Sequence, residues 1–231
     1  MTTTLESLLP APAEAGRFRA VPVDVRTERI LRIQGYRDME RVRRPIRRAA
    51  DKAAAIARDI AEGEVGFRRV GIAACAGSSL ELEGGERFEC GAFERFLSEC
   101  ESVVVFAMTA GEAIDRQIDE LMAADEPVVA LLLDTAGWLA IESITRQFSE
   151  RLKADCEQAD LRLTRRMGPG YTYRIGKELA PWGLEEQGGL FRVLGADASP
   201  VTVLPSGAML PKMSRSGLYG LRAAGAVRSA A

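Results

Sequence analysis

The chain of 231 residues contains no histidine. Without an imidazole it cannot form a Ser-His-Asp or Cys-His nucleophilic centre, bind zinc or iron through histidine, or ligate a cofactor metal in that way. We therefore expect no metal site and no catalytic side chain of these classes. Whatever chemistry takes place here is not carried by histidine from this chain.

Cysteine is scarce and scattered. Cys75, Cys90, Cys100 and Cys156 form no C-x-x-C pair. The N-terminal stretch MTTTLESLLPAPAEAG lacks the basic start and the apolar centre of a secretory signal. We therefore expect a cytoplasmic protein whose cysteines are reduced thiols, most of them buried.

Long apolar runs and a strong net charge are also missing. No run approaches the ~18 apolar residues that span a bilayer, so we expect no membrane association. The formal net charge of -2 offers no attraction for nucleic acid, and the stretch RVRRPIRRAADK is interpreted as the solvated face of a helix. The two glycine-rich phosphate-binding motifs, G-x-G-x-x-G and G-x-x-x-x-G-K-[ST], do not occur in the required context.

The apolar pattern predicts helices mixed with strands. Apolar residues recur at intervals of three and four over residues 39–61 and 112–125, which is typical of amphipathic helices. A longer apolar helix is expected to begin at Pro127, a residue favoured in the first turn, and is the candidate core helix. The runs 68–84 and 102–111 predict strands, the second buried and ending at Gly111.

This order of elements predicts the fold class and the division of the chain. It favours an α+β fold, with a mixed or antiparallel twisted sheet and flanking helices, over a doubly wound sheet. Residues 1–25 are rich in Pro, Ala, Thr and Glu and are expected to form a mobile N-terminal arm. Residues 26–222 are expected to form one domain, and residues 223–231 a C-terminal tail.

Two segments combine glycine and proline with arginine and tyrosine, and the second also contains serine: RMGPGY at residues 166–171 and SGAMLPKMSRSGLYG at residues 206–220. The simplest interpretation is a surface turn and a hairpin. The alternative is a ligand groove, because glycines let the backbone approach a planar ligand, arginine binds a carboxylate and an aromatic ring stabilises a cation. These demands fit S-adenosylmethionine, and they also fit other amino-acid-like ligands.

The two segments match two gapped motifs, R-x-x-P-G-Y and S-x-x-M-x-P-x-x-S-x-S-G-x-Y. The matching residues are Arg166, Pro169, Gly170 and Tyr171, followed by Ser206, Met209, Pro211, Ser214, Ser216, Gly217 and Tyr219. Both motifs are signatures of the activation domain of cobalamin-dependent methionine synthase, and the C-terminal half of the chain resembles this domain. FAMTAG at residues 106–111 and IESITRQFSERL at residues 141–152 are similar to further family segments, so the resemblance spans about residues 102–221.

The resemblance implies a site for S-adenosylmethionine. Arg166 would hold the ligand carboxylate, and Gly170 and Tyr171 would present their backbone to the adenine. Tyr219 would line the sulfonium side, while Glu142 falls on the position of an acidic ligand-binding residue and could otherwise be a solvated residue of its helix. The implied binding residues are Glu142, Arg166, Pro169, Gly170, Tyr171, Ser216, Gly217 and Tyr219.

The resemblance also implies a free-standing reactivation subunit. The chain matches only the activation module and has no histidine with which to ligate cobalt, so cobalamin is expected on a separate cobalamin-binding protein. The implied activity is reductive methylation of cob(II)alamin with S-adenosylmethionine and a one-electron donor such as flavodoxin or ferredoxin, within a split methionine synthase. The alternatives are the same role for another corrinoid methyltransferase system, a non-catalytic capping module that responds to S-adenosylmethionine, or a structural subunit whose ligand site has decayed.

Overall fold

The fold is built on one antiparallel sheet of seven strands. The computed structural model describes residues 9, 14–20 and 22–225. The strands are Ala15–Ala20 (β1), Gly63–Ala76 (β2), Ser79–Leu82 (β3), Arg87–Glu89 (β4), Ser102–Thr109 (β5), Leu161–Leu163 (β6), Thr172–Ile175 (β7), Glu178–Pro181 (β8), Thr202–Val203 (β9), Met209–Leu210 (β10) and Ser214–Ala223 (β11). Six strands of the sheet run in the order β4-β3-β2-β5-β11-β6, and the seventh, β1, pairs with the first half of the long strand β2.

Helices cover both faces of the sheet. They are Thr27–Ile33 (α1), Arg44–Ile60 (α2), Phe93–Leu97 (α3), Ala113–Ala123 (α4), Pro127–Gln158 (α5) and Gln187–Leu194 (α6). Helices α1, α2, α4 and α5 share one hydrophobic core, whereas α3, α6 and the hairpin β7-β8 share the other. The α+β fold class, with a mainly antiparallel sheet and flanking helices, is confirmed.

Strand β5 separates the two cores. Val104, Phe106 and Met108 face the core that contains α5, and Val103 and Val105 face the other. Successive strand side chains point to opposite faces, so a strand covered on both sides has to be apolar throughout. The predicted buried strand is confirmed and stops two residues before Gly111, whose φ of 87° suits glycine.

Helix α5 is the central helix of the fold. By length and composition alone it could span a membrane, because one 18-residue window has a mean hydropathy of 1.5, although 67% of that window is buried inside the protein. It packs against α1, α2 and α4 and against the sheet. Burial against these elements accounts for its apolar composition.

The N-terminal arm predicted for residues 1–25 is wrong for its second part. Ala15–Ala20 form β1, which pairs with β2 from Gly63 to Arg68. The period-two pattern of the segment places Phe18 on the core side, where its ring lies 5.9 Å from that of Phe148. At the other end, β11 continues to Ala223, one residue into the predicted tail. Residues 1–8, 10–13, 21 and 226–231 lie outside the described residues.

Candidate functional site

A cavity opens at the edge of β11, where the sheet is incomplete. Strand β6 pairs only with residues 221–223, and beyond it a single bridge joins Met167 to Leu218. The chain then turns away through Gly168, Pro169 and Gly170, which leaves a cavity of about 280 Å³ beside residues 214–216. It is lined by Trp138, Ile141, Pro169, Tyr171, Leu184, Gln187 and residues 207–209 and 212–216.

Arg166 carries a buried donor that no described residue satisfies. Its guanidinium carbon lies 4.6 Å from the centroid of the Tyr171 ring, and its Nη1 is buried without a hydrogen-bond partner in the described part of the chain. The neighbouring Arg165 lies over Phe96 and Tyr173 instead, at 5.0 and 5.3 Å from the ring centroids. The side chains of Arg165 and Arg166 therefore point to opposite sides of the chain, and that of Arg166 packs on Tyr171.

Glu142 forms an ion pair with Arg215. Arg215 is buried and also donates a hydrogen bond of 2.8 Å to Thr145 Oγ1. The Glu142 side chain remains 34% exposed, so its carboxylate can still meet a ligand. Glu142 is thus neither a solvated helix residue nor a free acid, because a buried arginine holds it in one orientation.

Tyr219 lies in the core on the α5 side of β11. Its ring stacks on Phe106 with centroids 5.4 Å apart, and the residue is 4% exposed. Burial raises the pKa of Tyr219, while the positive charge of Arg166 and a hydrogen bond with Ser149 act in the opposite direction. The charge of Arg166 therefore acts on the hydroxyl of Tyr219.

Gly217 of the second motif, and Gly168 at a variable position of the first, face backbone rather than an open groove. A Cβ on Gly217 would lie 2.3 Å from the carbonyl oxygen of Met167, and one on Gly168 would lie 2.9 Å from that of Ser216. Real Cβ atoms do not approach so closely. Glycine is therefore required at both positions for residues 167–168 to lie directly against β11. Ser216 and Tyr219 are three positions apart, so their side chains point to opposite faces of the sheet. The Ser216 side lines the cavity.

The backbone at Gly170 and Tyr171 is partly used by the protein itself. The Gly170 N–H donates to the carbonyl of Trp182 at 2.8 Å, and the Trp182 N–H donates to the carbonyl of Tyr171 at 2.9 Å. Gly170 has a φ of 80°, which favours glycine. Of the backbone groups expected to meet the adenine, the Gly170 carbonyl and the Tyr171 N–H are those outside this pairing.

The predicted site residues come together in one region, in two layers. Pro169, Tyr171 and Ser216 line the cavity. Glu142 and Arg166 contact two lining residues, Arg215 and Tyr171 respectively, whereas Tyr219 is buried against Phe106. Four further residues belong to the region and were missed by the sequence motifs: Trp138, Thr145, Ser149 and Arg215. Three of them share one face of α5 with Glu142, at spacings of four, three and four, and this periodicity was a usable signal.

Neither a family model nor a curated protein matches the chain. Among solved structures, the chain is similar to the MetH reactivation domain in its crystal structure bound to AdoHcy, with a TM-score of 0.63 and 12% sequence identity. The similarity covers 98% of this chain and 83% of that chain. The chain therefore has the fold of a reactivation domain, and at this identity the likeness concerns the fold.

Proposed function

We propose that the chain binds S-adenosylmethionine in the cavity at the edge of β11 and supports reductive methylation of cob(II)alamin. The cobalamin is carried by a separate cobalamin-binding protein of a split methionine synthase, and a donor such as flavodoxin or ferredoxin supplies one electron. S-adenosylmethionine supplies the methyl group and leaves as S-adenosylhomocysteine. The two motifs and the fold shared with a reactivation domain bound to AdoHcy support this proposal.

The buried Nη1 of Arg166, which has no hydrogen-bond partner among the described residues, carries the proposal. A buried charged donor without a partner costs about 1–3 kcal/mol or more, so the folded chain gains by meeting an anion there. Stacking on Tyr171 keeps the guanidinium plane fixed, which suits a carboxylate that is bound through two hydrogen bonds. The carboxylate of an amino-acid-like ligand fits this position.

The other residues of the region complete a site for a zwitterion. The carboxylate of Glu142, held by Arg215, is suited to the ligand's amino group, and Tyr171 and Trp138 offer exposed rings at the cavity wall. The site needs no general acid or base, because the protein's contribution is to orient the ligand and exclude water. The chain has no histidine with which to ligate cobalt, which favours action on a separate corrinoid protein.

Calorimetry with S-adenosylmethionine and S-adenosylhomocysteine tests the site. We expect Arg166→Ala to weaken binding by about 2 kcal/mol, roughly 30-fold, because a charge-assisted pair is lost. Arg165→Ala is the matched control, since Arg165 faces Phe96 and Tyr173, and its affinity should stay near that of the wild type. Unchanged affinity in a folded Arg166→Ala protein would remove the proposed site.

A visible-spectrum time course tests the activity. With this chain, S-adenosylmethionine, a one-electron donor and a cob(II)alamin-loaded partner, we expect conversion to the spectrum of methylcobalamin. Omission of this chain, of S-adenosylmethionine or of the electron donor should leave the cob(II)alamin spectrum of the partner unchanged. Ligand binding combined with equal conversion in the presence and absence of the chain would favour the non-catalytic capping module instead.

A further inference from the structure

The positive charge of the chain is concentrated at its first two helices. Residues 26–48 contain nine arginines and three acidic residues, whereas the whole chain has a net charge of -2. This stretch therefore has six excess positive charges, and the rest of the chain eight excess negative charges. Arg26 and Arg41 of this stretch form ion pairs, and we call its other five exposed arginines the arginine patch: Arg32, Arg37, Arg43, Arg44 and Arg48.

The arginine patch is not used in ion pairs by the described residues. In the same stretch, Arg26 pairs with Asp24, Arg41 pairs with Asp38, and Arg47 donates to the Met39 carbonyl. The five arginines of the patch have no such partner in the described part of the chain. Their guanidinium groups are therefore available to a partner from outside.

Two members of the patch stand where they oppose helix stability. Helix α2 starts at Arg44, its N-cap is Arg43 without a side-chain capping bond, and its first turn contains no acidic residue. The positive end of the helix dipole disfavours cations, and Ser, Thr, Asp or Asn is preferred at the N-cap. Arginines at such positions break a local rule of folding, which is expected where a surface serves binding.

The surroundings of the patch favour a protein as its partner. Ile33 and Tyr36 are 48% and 37% exposed, so the patch combines arginine with apolar and aromatic side chains, as protein interfaces do. Gln34 donates a hydrogen bond of 2.6 Å to Thr135, which joins this surface to α5 beside the exposed Leu131. A long polyanion such as nucleic acid would also meet the negative remainder of the molecule.

We propose that the arginine patch is a docking surface for a protein that presents a cluster of carboxylates. Complementary charge speeds encounter and selects the partner. Thr135 lies one helical turn before Trp138, which lines the candidate cavity, so a docked protein lies beside the mouth of that cavity. This docking does not depend on which ligand the cavity binds.

Fluorescence anisotropy with labelled poly-L-glutamate tests the docking surface. The patch variant Arg43→Gln/Arg44→Gln/Arg48→Gln should bind the probe about fivefold or more weakly than the wild type at low salt. The control Arg116→Gln/Arg162→Gln/Arg174→Gln removes three exposed arginines outside the patch and should bind within about twofold of the wild type. Equal losses in both variants, or no binding of the probe by the wild type, would overturn the proposal.

Two further measurements distinguish a protein partner from nucleic acid and from a purely structural role of the arginines. A labelled DNA duplex of equal charge should bind more weakly than poly-L-glutamate. Tighter binding of the duplex would contradict a protein partner and indicate that the patch binds nucleic acid. In thermal unfolding, the patch variant should melt at or up to a few degrees above the wild type, because cations leave the positive end of α2. A lower melting temperature would give the arginines a structural role and would contradict the proposal.

Discussion

Glu142 and Arg215 form an ion pair whose members are unequally buried, and this inequality predicts how each responds to substitution. The Arg215 side chain is 9% exposed and that of Glu142 34%. Glu142→Ala leaves a buried guanidinium with Thr145 as its remaining hydrogen-bond partner, and we expect a cost of about 3 kcal/mol in the free energy of unfolding. Arg215→Met leaves a carboxylate that water can reach and should cost less.

Urea unfolding of the two single variants and the double variant gives both values and the coupling between the residues. The double variant Glu142→Ala/Arg215→Met should be more stable than Glu142→Ala alone, because no buried charge is left unpaired. A larger cost for Arg215→Met than for Glu142→Ala would show that packing of the arginine stem, rather than its charge, dominates the site.

Tyr219 combines a ring in the core with a hydroxyl that is subject to the charge of Arg166. Tyr219→Phe keeps the stacking on Phe106 and should change the free energy of unfolding by less than about 1 kcal/mol, whereas Tyr219→Ala should cost about 3–5 kcal/mol. If the hydroxyl contacts the ligand, Tyr219→Phe should weaken S-adenosylhomocysteine binding about fivefold in calorimetry. If Tyr219→Phe and Tyr219→Ala lowered the free energy of unfolding equally, the hydroxyl would be needed for the stability of the fold rather than for ligand binding.

At the scale of elements, the pairing of Met167 with β11 depends on the absence of a side chain at position 217. A Cβ on Gly217 would meet the Met167 carbonyl at 2.3 Å, and this backbone is fixed by two hydrogen bonds between Met167 and Leu218. We expect Gly217→Ala to cost about 2 kcal/mol or more in urea unfolding. Gly225→Ala, where nothing lies within 4 Å of the new Cβ, is the matched control and should be neutral.

Because Met167 lies so close to position 217, a bulky residue there would disturb the fold as well as the ligand site. Gly217→Val would displace the segment that carries Arg166 and Tyr171 before it touched any ligand, so lost binding would report the fold as well as the site. A stable Gly217→Ala protein with normal ligand affinity would contradict the close approach of the two segments.

At the scale of the whole molecule, buried thiols and phenols make the fold sensitive to alkali. Cys90, Cys100 and Cys156 are buried and Cys75 is partly buried, and all four are free thiols. Burial raises the pKa of Cys100 from 9.0 to about 12 and that of Cys156 from 9.0 to about 11. It also raises the pKa of Tyr173 and of Tyr219.

The direction of these shifts predicts the pH dependence of stability. Above about pH 9 the unfolded chain releases thiol protons that the folded chain retains, so stability is complete below that pH and falls as the pH rises towards the folded pKa values. The urea midpoint should be lower at about pH 10 than at about pH 8. The urea midpoint of Cys156→Ala should decrease less between the two pH values than that of the wild type. An equal decrease would show that the Cys156 thiol does not contribute to the pH dependence.

The amino-acid sequence alone determined the fold class and the faces of the main elements. Period-two and period-three-to-four patterns are local, and they encode which side of a strand or helix meets apolar neighbours. They were sufficient for the buried strand β5 and for α5, whereas the two motifs were identified through the resemblance to a known domain. They missed β1 because the alternation around Phe18 is short and follows a stretch of low periodicity.

The tertiary structure alone decided which residues act together. Glu142 and Arg215 are 73 positions apart, and Met167 lies about 50 positions before Leu218, its partner in β11. Local periodicity gives the face of a strand but not its partner, so neither the ion pair nor the need for Gly217 could be read from spacing. The sequence made Arg166 a candidate by its residue type and its motif, and only packing showed that its Nη1 is buried without a partner in the described chain.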